Sequence, residues 1–106
     1  MAAFEDTAMM ARFVRDYLGL LDERVSAITR QLEAGNDLNA HISLLSLEST
    51  SSMVGAKELA KIAGLLRGAV ERGQRSTVPA LVTAMTAEAA RVHDRLTRMA
   101  DDRPLG

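Results

Sequence analysis

Apolar residues recur at intervals of three and four along most of this chain, the period of an amphipathic helix and not of a strand. The first such segment runs from about 7 to 34. Its stripe is Met10, Phe13, Val14, Tyr17, Leu18, Leu21, Val25, Ile28 and Leu32. Gly19 interrupts it and weakens it by roughly 1 kcal/mol relative to Ala, so this is where a bend or break is to be looked for. Ala34-Gly35-Asn36-Asp37 then reads as a C-cap glycine followed by an N-cap. A second helix is predicted over 37–53, closed by Gly55. A third is predicted over 56–72, closed by Gly73, with Leu59, Ile62, Leu66, Ala69 and Val70 turned inward. The fourth is predicted over 77–100. Pro79 is tolerated in its first turn, and its stripe is Val78, Leu81, Val82, Met85, Ala89, Val92, Leu96 and Met99. The tail from Asp101 to Gly106 is expected to fray.

No stretch alternates like a strand. Four amphipathic helices joined by short turns predict an all-α, antiparallel up-down-up-down four-helix bundle, one domain over 1–106. The second helix departs from the simple pattern because two stripes compete for its inner face. One is Ala40, Leu44, Leu47, Ser51 and Val54; the other is Leu38, Ile42, Leu45, Ser49 and Ser52, with His41 and Glu48 alongside. At roughly 100° per residue the two point to different sides, so one apolar strip is expected to stay partly exposed. The run Ser49 to Ser52 has poor helix propensity. Its small side chains either admit a neighbouring helix or clear space for a partner.

Composition narrows the function classes. The chain has 106 residues, 47% of them hydrophobic and 25% charged, the balance of a folded globule. Its formal net charge of −1 argues against a nucleic-acid binder working through a basic field. With three aromatic residues, Phe4, Phe13 and Tyr17, it has no base-stacking platform. The absence of cysteine excludes disulfides, thiolate metal sites and thiol nucleophiles. No run approaches a membrane span and no signal peptide opens the chain, so a cytoplasmic protein is expected.

Nucleotide-binding glycine loops, HExxH and GxSxG are absent from the sequence. His41 and His93 fall on different helices, and neither follows a glutamate by three residues as a di-iron bundle motif requires. Neither a metal nor a cofactor is therefore expected. His93 reads as a solvent-side residue in the C-terminal half of its helix. Asp22, Glu23, Arg24, Arg91, Asp94, Arg95 and Arg98 read as solvated faces with i,i+3 and i,i+4 pairs.

The run Leu45-Ser-Leu47-Glu48-Ser49-Thr50-Ser51-Ser52-Met53-Val54-Gly55-Ala56, followed by Leu59, resembles the signature of histidine-containing phosphotransfer (HPt) domains of two-component phosphorelays. That signature is roughly His-x-Leu-Lys-Gly-small-small-x-x-apolar-Gly-Ala, with a Leu three residues on. Leu47, the small pair, Val54, Gly55-Ala56 and Leu59 match it, and the segment from Phe13 to Asn36 resembles the family's first bundle helix and following turn. The chemical positions differ. Leu45 stands where the resemblance implies the phosphoacceptor histidine, Glu48 where it implies a lysine, and Ser49 where it implies a glycine.

Leucine offers no nucleophilic atom, and Glu48 would repel a phosphoryl group where lysine attracts it. The resemblance thus implies a pseudo-phosphotransfer module, not a catalyst. It would dock a response-regulator receiver through Leu38, His41, Ile42, Leu45, Glu48, Ser49 and Ser52, with a histidine kinase as a second candidate partner. Ser46 would lie at the edge of this face. Two alternatives stay open. His41, one turn before Leu45 and about 40° away around the helix, could accept phosphate instead. The exposed strip could otherwise be buried in a homodimer, although a monomer is expected.

Overall fold

The computed structural model describes the backbone over 2–101 and side chains over 7–99. Four helices make up the fold: α1 (Ala2–Glu33), α2 (Asp37–Met53), α3 (Lys57–Glu71) and α4 (Val78–Asp101). No strand occurs among the described residues. Each helix packs on its neighbour in sequence and α1 closes against α4, which makes the four-helix bundle an up-down-up-down ring. The residues beyond Asp101, most of the tail expected to fray, lie outside the described ones. No helix among the described residues is long and apolar enough to cross a membrane.

The turns follow from three glycines. Gly35, Gly55 and Gly73 have φ of 73°, 81° and 67°, the left-handed region that side chains disfavour. After α2, the Gly55 N–H donates to the Ser52 carbonyl at 3.1 Å and the Ala56 N–H to the Ser51 carbonyl at 2.8 Å. This paired 5→2 and 6→1 pattern is a Schellman stop, and it recurs after α1 and α3. Gly55→Ala is expected to cost about 1–2 kcal/mol in urea unfolding, because the new Cβ meets no neighbour but the backbone conformation is strained.

The core follows the predicted stripes through the middle of the bundle. Tyr17, Leu21, Val25 and Ile28 from α1 meet Leu44 and Leu47 from α2, Leu59, Ile62 and Leu66 from α3, and Met85 and Val92 from α4. Three expectations are corrected. Helix α1 begins at Ala2, five residues before the predicted start. It also runs unbroken through Gly19, whose missing side chain faces open space. Met10 and Met99, placed inward by periodicity, are 49% and 63% exposed. The reason is length: α1 has 32 residues and α4 has 24, against 17 and 15 for α2 and α3. At 1.5 Å per residue, the two long helices overhang the α2–α3 hairpin, so their ends have no opposing layer.

A buried hydrogen bond locks α1 to α2. The Tyr17 and Ser51 hydroxyls are 2.8 Å apart, and both residues are buried. Burial raises the Tyr17 pKa above its usual value, against the lowering effects of the Ser51 hydrogen bond and the Arg24 charge. The neutral phenol is therefore the folded form. Its contribution is intact below the unfolded tyrosine pKa of about 10 and is lost as pH rises through the higher folded value. Tyr17→Phe is expected to cost about 1–2 kcal/mol at neutral pH by orphaning the Ser51 hydroxyl. In urea titrations at alkaline pH, it should also lose less further stability than the parent.

Candidate functional site: the outer face of α2

Helix α2 starts at a capped N-terminus: Asn36 Oδ1 accepts from the Asn39 N–H at 3.5 Å. Its two competing stripes are resolved by what lies across from them. Ala40, Leu44, Leu47 and Ser51 are buried against the other helices. The buried Ser51 hydroxyl is affordable because Tyr17 bonds it. The other stripe faces outward. Leu38 is 71% exposed, Ile42 56% and Leu45 46%, and Ser49 and Ser52 continue the line as exposed residues. These large apolar side chains line up on one helix face rather than scatter singly.

The flanks of this strip are polar and tied down. On the α3 side, Glu48 Oε1 accepts from Arg67 Nε at 3.1 Å and from Arg67 Nη2 at 2.9 Å. Arg67 Nη1 also lies 3.8 Å from Glu71 Oε2, and His41 Nδ1 lies 3.4 Å from that same oxygen. His41, Glu71, Arg67 and Glu48 thus form a chain of alternating partners along the α2–α3 seam. Gly64 makes room for it: a Cβ there would stand 2.9 Å from Glu48 Oε2. On the α1 side, Arg24 Nη1 donates to Ser46 Oγ at 3.1 Å.

Of the seven residues singled out from the sequence, five share the exposed strip and two, His41 and Glu48, are half-buried at its rim. Sequence reasoning missed Arg67 and Glu71: their i,i+4 spacing on α3 is legible, but their contacts with Glu48 and His41 cross between helices and leave no such trace. It also missed Glu88 on α4. That carboxylate is buried to 6% exposure beneath Arg91 (2.8 Å) and Arg95 (3.9 Å). The expected pair of Asp94 and Arg98 is present.

Family models, curated proteins and solved structures yield no match to this chain. Its chemistry is therefore argued from its own residues. At the centre of the face stands a hydrocarbon side chain, Leu45, which neither attacks phosphorus nor binds a metal. The one nearby imidazole, His41, has its Nδ1 3.4 Å from the Glu71 carboxylate. Among the described residues no three His, Asp or Glu side chains gather as metal ligands. Two clefts open elsewhere, at the ends of the bundle. One of about 370 Å³ is lined by Leu32, Val70, Val78 and Val82, and one of about 750 Å³ by Met10, Val14, Met53 and Leu96.

Proposed function

We propose that this chain is an HPt-like signalling domain that docks a response-regulator receiver on the outer face of α2 and has lost the phosphoacceptor. It would act in the cytoplasm by occupancy, competing with a true phosphotransfer protein or holding a receiver in one state. The observation that carries the reading is Leu45, 46% exposed on the outward stripe, between the apolar Leu38 and Ile42 and the small Ser49 and Ser52. It stands where the HPt resemblance implies an exposed histidine.

The distribution of matches and mismatches along the motif supports this. Leu47, Ser51, Ala56 and Leu59 match the signature and are buried, and Gly55 matches and forms the helix stop. Leu45, Glu48 and Ser49 depart from it, and all lie on the outer face or its rim. Packing accounts for the retained residues. The altered ones are those a partner would touch. Apolar contact with a partner survives exchange of an imidazole for leucine, whereas nucleophilic chemistry does not.

Transfer through His41 is disfavoured by geometry. It lies four residues, about 6 Å along the helix, from Leu45, too far for in-line attack on a phosphoryl group held opposite position 45. The test is a binding screen against purified receiver domains, with Leu45→Glu beside the parent. The expected result is a receiver that binds the parent and is weakened at least about tenfold by the buried charge. A panel that binds neither protein, or binds both equally, would overturn the reading. Acid-labile phosphate on the parent that vanishes in His41→Ala would replace it with active phosphotransfer.

A further inference from the structure

One end of the bundle stays open where α1, α3 and α4 meet. The chain passes from α3 to α4 through the connection over 72–77, and beside it lies the cleft of about 370 Å³ walled by Leu32, Val70, Val78 and Val82. These four are only half-buried, because each packs on the core with one side and turns the rest of its surface to the cleft. Ala69 lies in the same wall, and its short side chain leaves the space a larger one would take. None of these residues belongs to the outward strip of α2.

Size selects the class of occupant. Small-molecule sites span about 300–1,000 Å³. One turn of a helix, about 10 Å across and about 5.4 Å high, already exceeds this cleft. A small molecule fits it and a docked helix does not.

The polar atoms of the lining select the ligand's charge. The Thr29 hydroxyl donates to the Val25 carbonyl at 3.1 Å, so toward the cleft it is left to accept. The Gly73 N–H donates to the Val70 carbonyl at 3.2 Å, and the Val78 N–H to the Arg75 carbonyl at 3.3 Å. Asp37 and Arg75, both at the cleft, pair with each other at 3.6 Å. Glu33 also lines the cleft and has no hydrogen-bond or ion-pair partner among the described residues. The lining therefore sets two carboxylates against one guanidinium, and the charge left over is that of Glu33. Apolar walls with free acceptors and an excess carboxylate complement a ligand whose polar end is a cationic donor.

We propose that this cleft binds a small hydrophobic amine, its apolar body against Leu32, Val70, Val78 and Val82 and its ammonium at Glu33. A carboxylate on the same body would have to face Glu33 or draw Arg75 away from Asp37. The site is independent of receiver docking and stands or falls by its own test.

That test is a titration of the isotopically labelled full chain with phenylbutylamine, phenylbutanol and phenylbutyrate, followed by amide NMR shifts. The three probes carry a phenylalkyl body with a positive, a neutral and a negative end at neutral pH. The expected result is saturable shifts with phenylbutylamine at Thr29, Leu32, Val70, Gly73 and Val82. The amine should bind at least about threefold more tightly than the alcohol, with phenylbutyrate weakest. Glu33 is exposed, so Glu33→Gln leaves the fold intact. It should weaken the amine by about threefold and leave the alcohol unchanged. Phenylbutanol or phenylbutyrate binding as tightly as the amine would overturn the proposal. So would amine shifts centred on the cleft at Met10 and Met53 or on the outer face of α2, or full amine affinity in Glu33→Gln. An amine that fails to saturate by roughly 10 mM would overturn it as well.

Discussion

Leu45→His combined with Glu48→Gln is expected to convert this chain from one that takes no phosphate into one that accepts a phosphoryl group from a phosphorylated receiver. Under the docking reading, Leu45 is the residue nearest the receiver's aspartyl phosphate. An imidazole nitrogen there would attack phosphorus, the P–O bond to the aspartyl carboxylate would break, and the carboxylate would leave. The second substitution follows from the seam between α2 and α3. Glu48 would repel an incoming phosphoryl group, and it occupies Arg67 through two hydrogen bonds, at 3.1 and 2.9 Å. Glutamine keeps the shape, removes the negative charge and leaves Arg67 as an uncompensated cation beside the site. Lysine at 48, the residue implied by the HPt resemblance, would set two cations side by side. The double variant should therefore transfer faster than Leu45→His alone by on the order of tenfold. The readout is acid-labile phosphate by intact mass against a receiver known to bind. Absence of phosphate on the double variant would mean that position 45 is not opposite the aspartate.

Leu47→Ala is expected to destabilise the bundle by about 2–5 kcal/mol, and Leu45→Ala, two residues away, by no more than about 0.5 kcal/mol. The contrast comes from burial. Leu47 is fully enclosed in the core, and Leu45 is 46% exposed. Removing Leu47 leaves a cavity between α2 and its neighbours that the ring of helices cannot readily collapse to fill. For a chain of this size, each kcal/mol moves the melting temperature by about 4–8 °C, so the two variants separate clearly in thermal or urea unfolding. Equal losses would mean that the outward stripe is also packed, against the exposed face on which the docking reading rests.

The helices, their turns and most of the core were legible in the sequence because each rests on a local signal. Threes-and-fours spacing marks the stripes, and Gly35, Gly55 and Gly73 mark stops that require a left-handed backbone. What periodicity does not carry is how far along each helix a neighbour stands opposite it. Met10 and Met99 continue their stripes faultlessly, yet they extend past the ends of the shorter α2 and α3 and remain exposed.

The candidate face was half legible. Two leucine-bearing stripes on α2 announce that one is left outside, but apolarity alone ranks them equally. The partner of Ser51 settles the choice, since a serine on the inner stripe is tolerated where the Tyr17 hydroxyl reaches it. Arg67 and Glu71 reach the face from another helix, so their part in it appears only once α2 and α3 are packed together.

The most direct test is a titration of the isotopically labelled chain with purified receiver domains, followed by amide NMR shifts and by intact mass after exposure to the phosphorylated receiver. The account predicts that a receiver shifts the amides of Leu38, Ile42, Leu45, Ser49 and Ser52, and that no phosphate reaches the chain. Shifts confined to another face, no receiver that binds, or acid-labile phosphate on the parent protein would each contradict it.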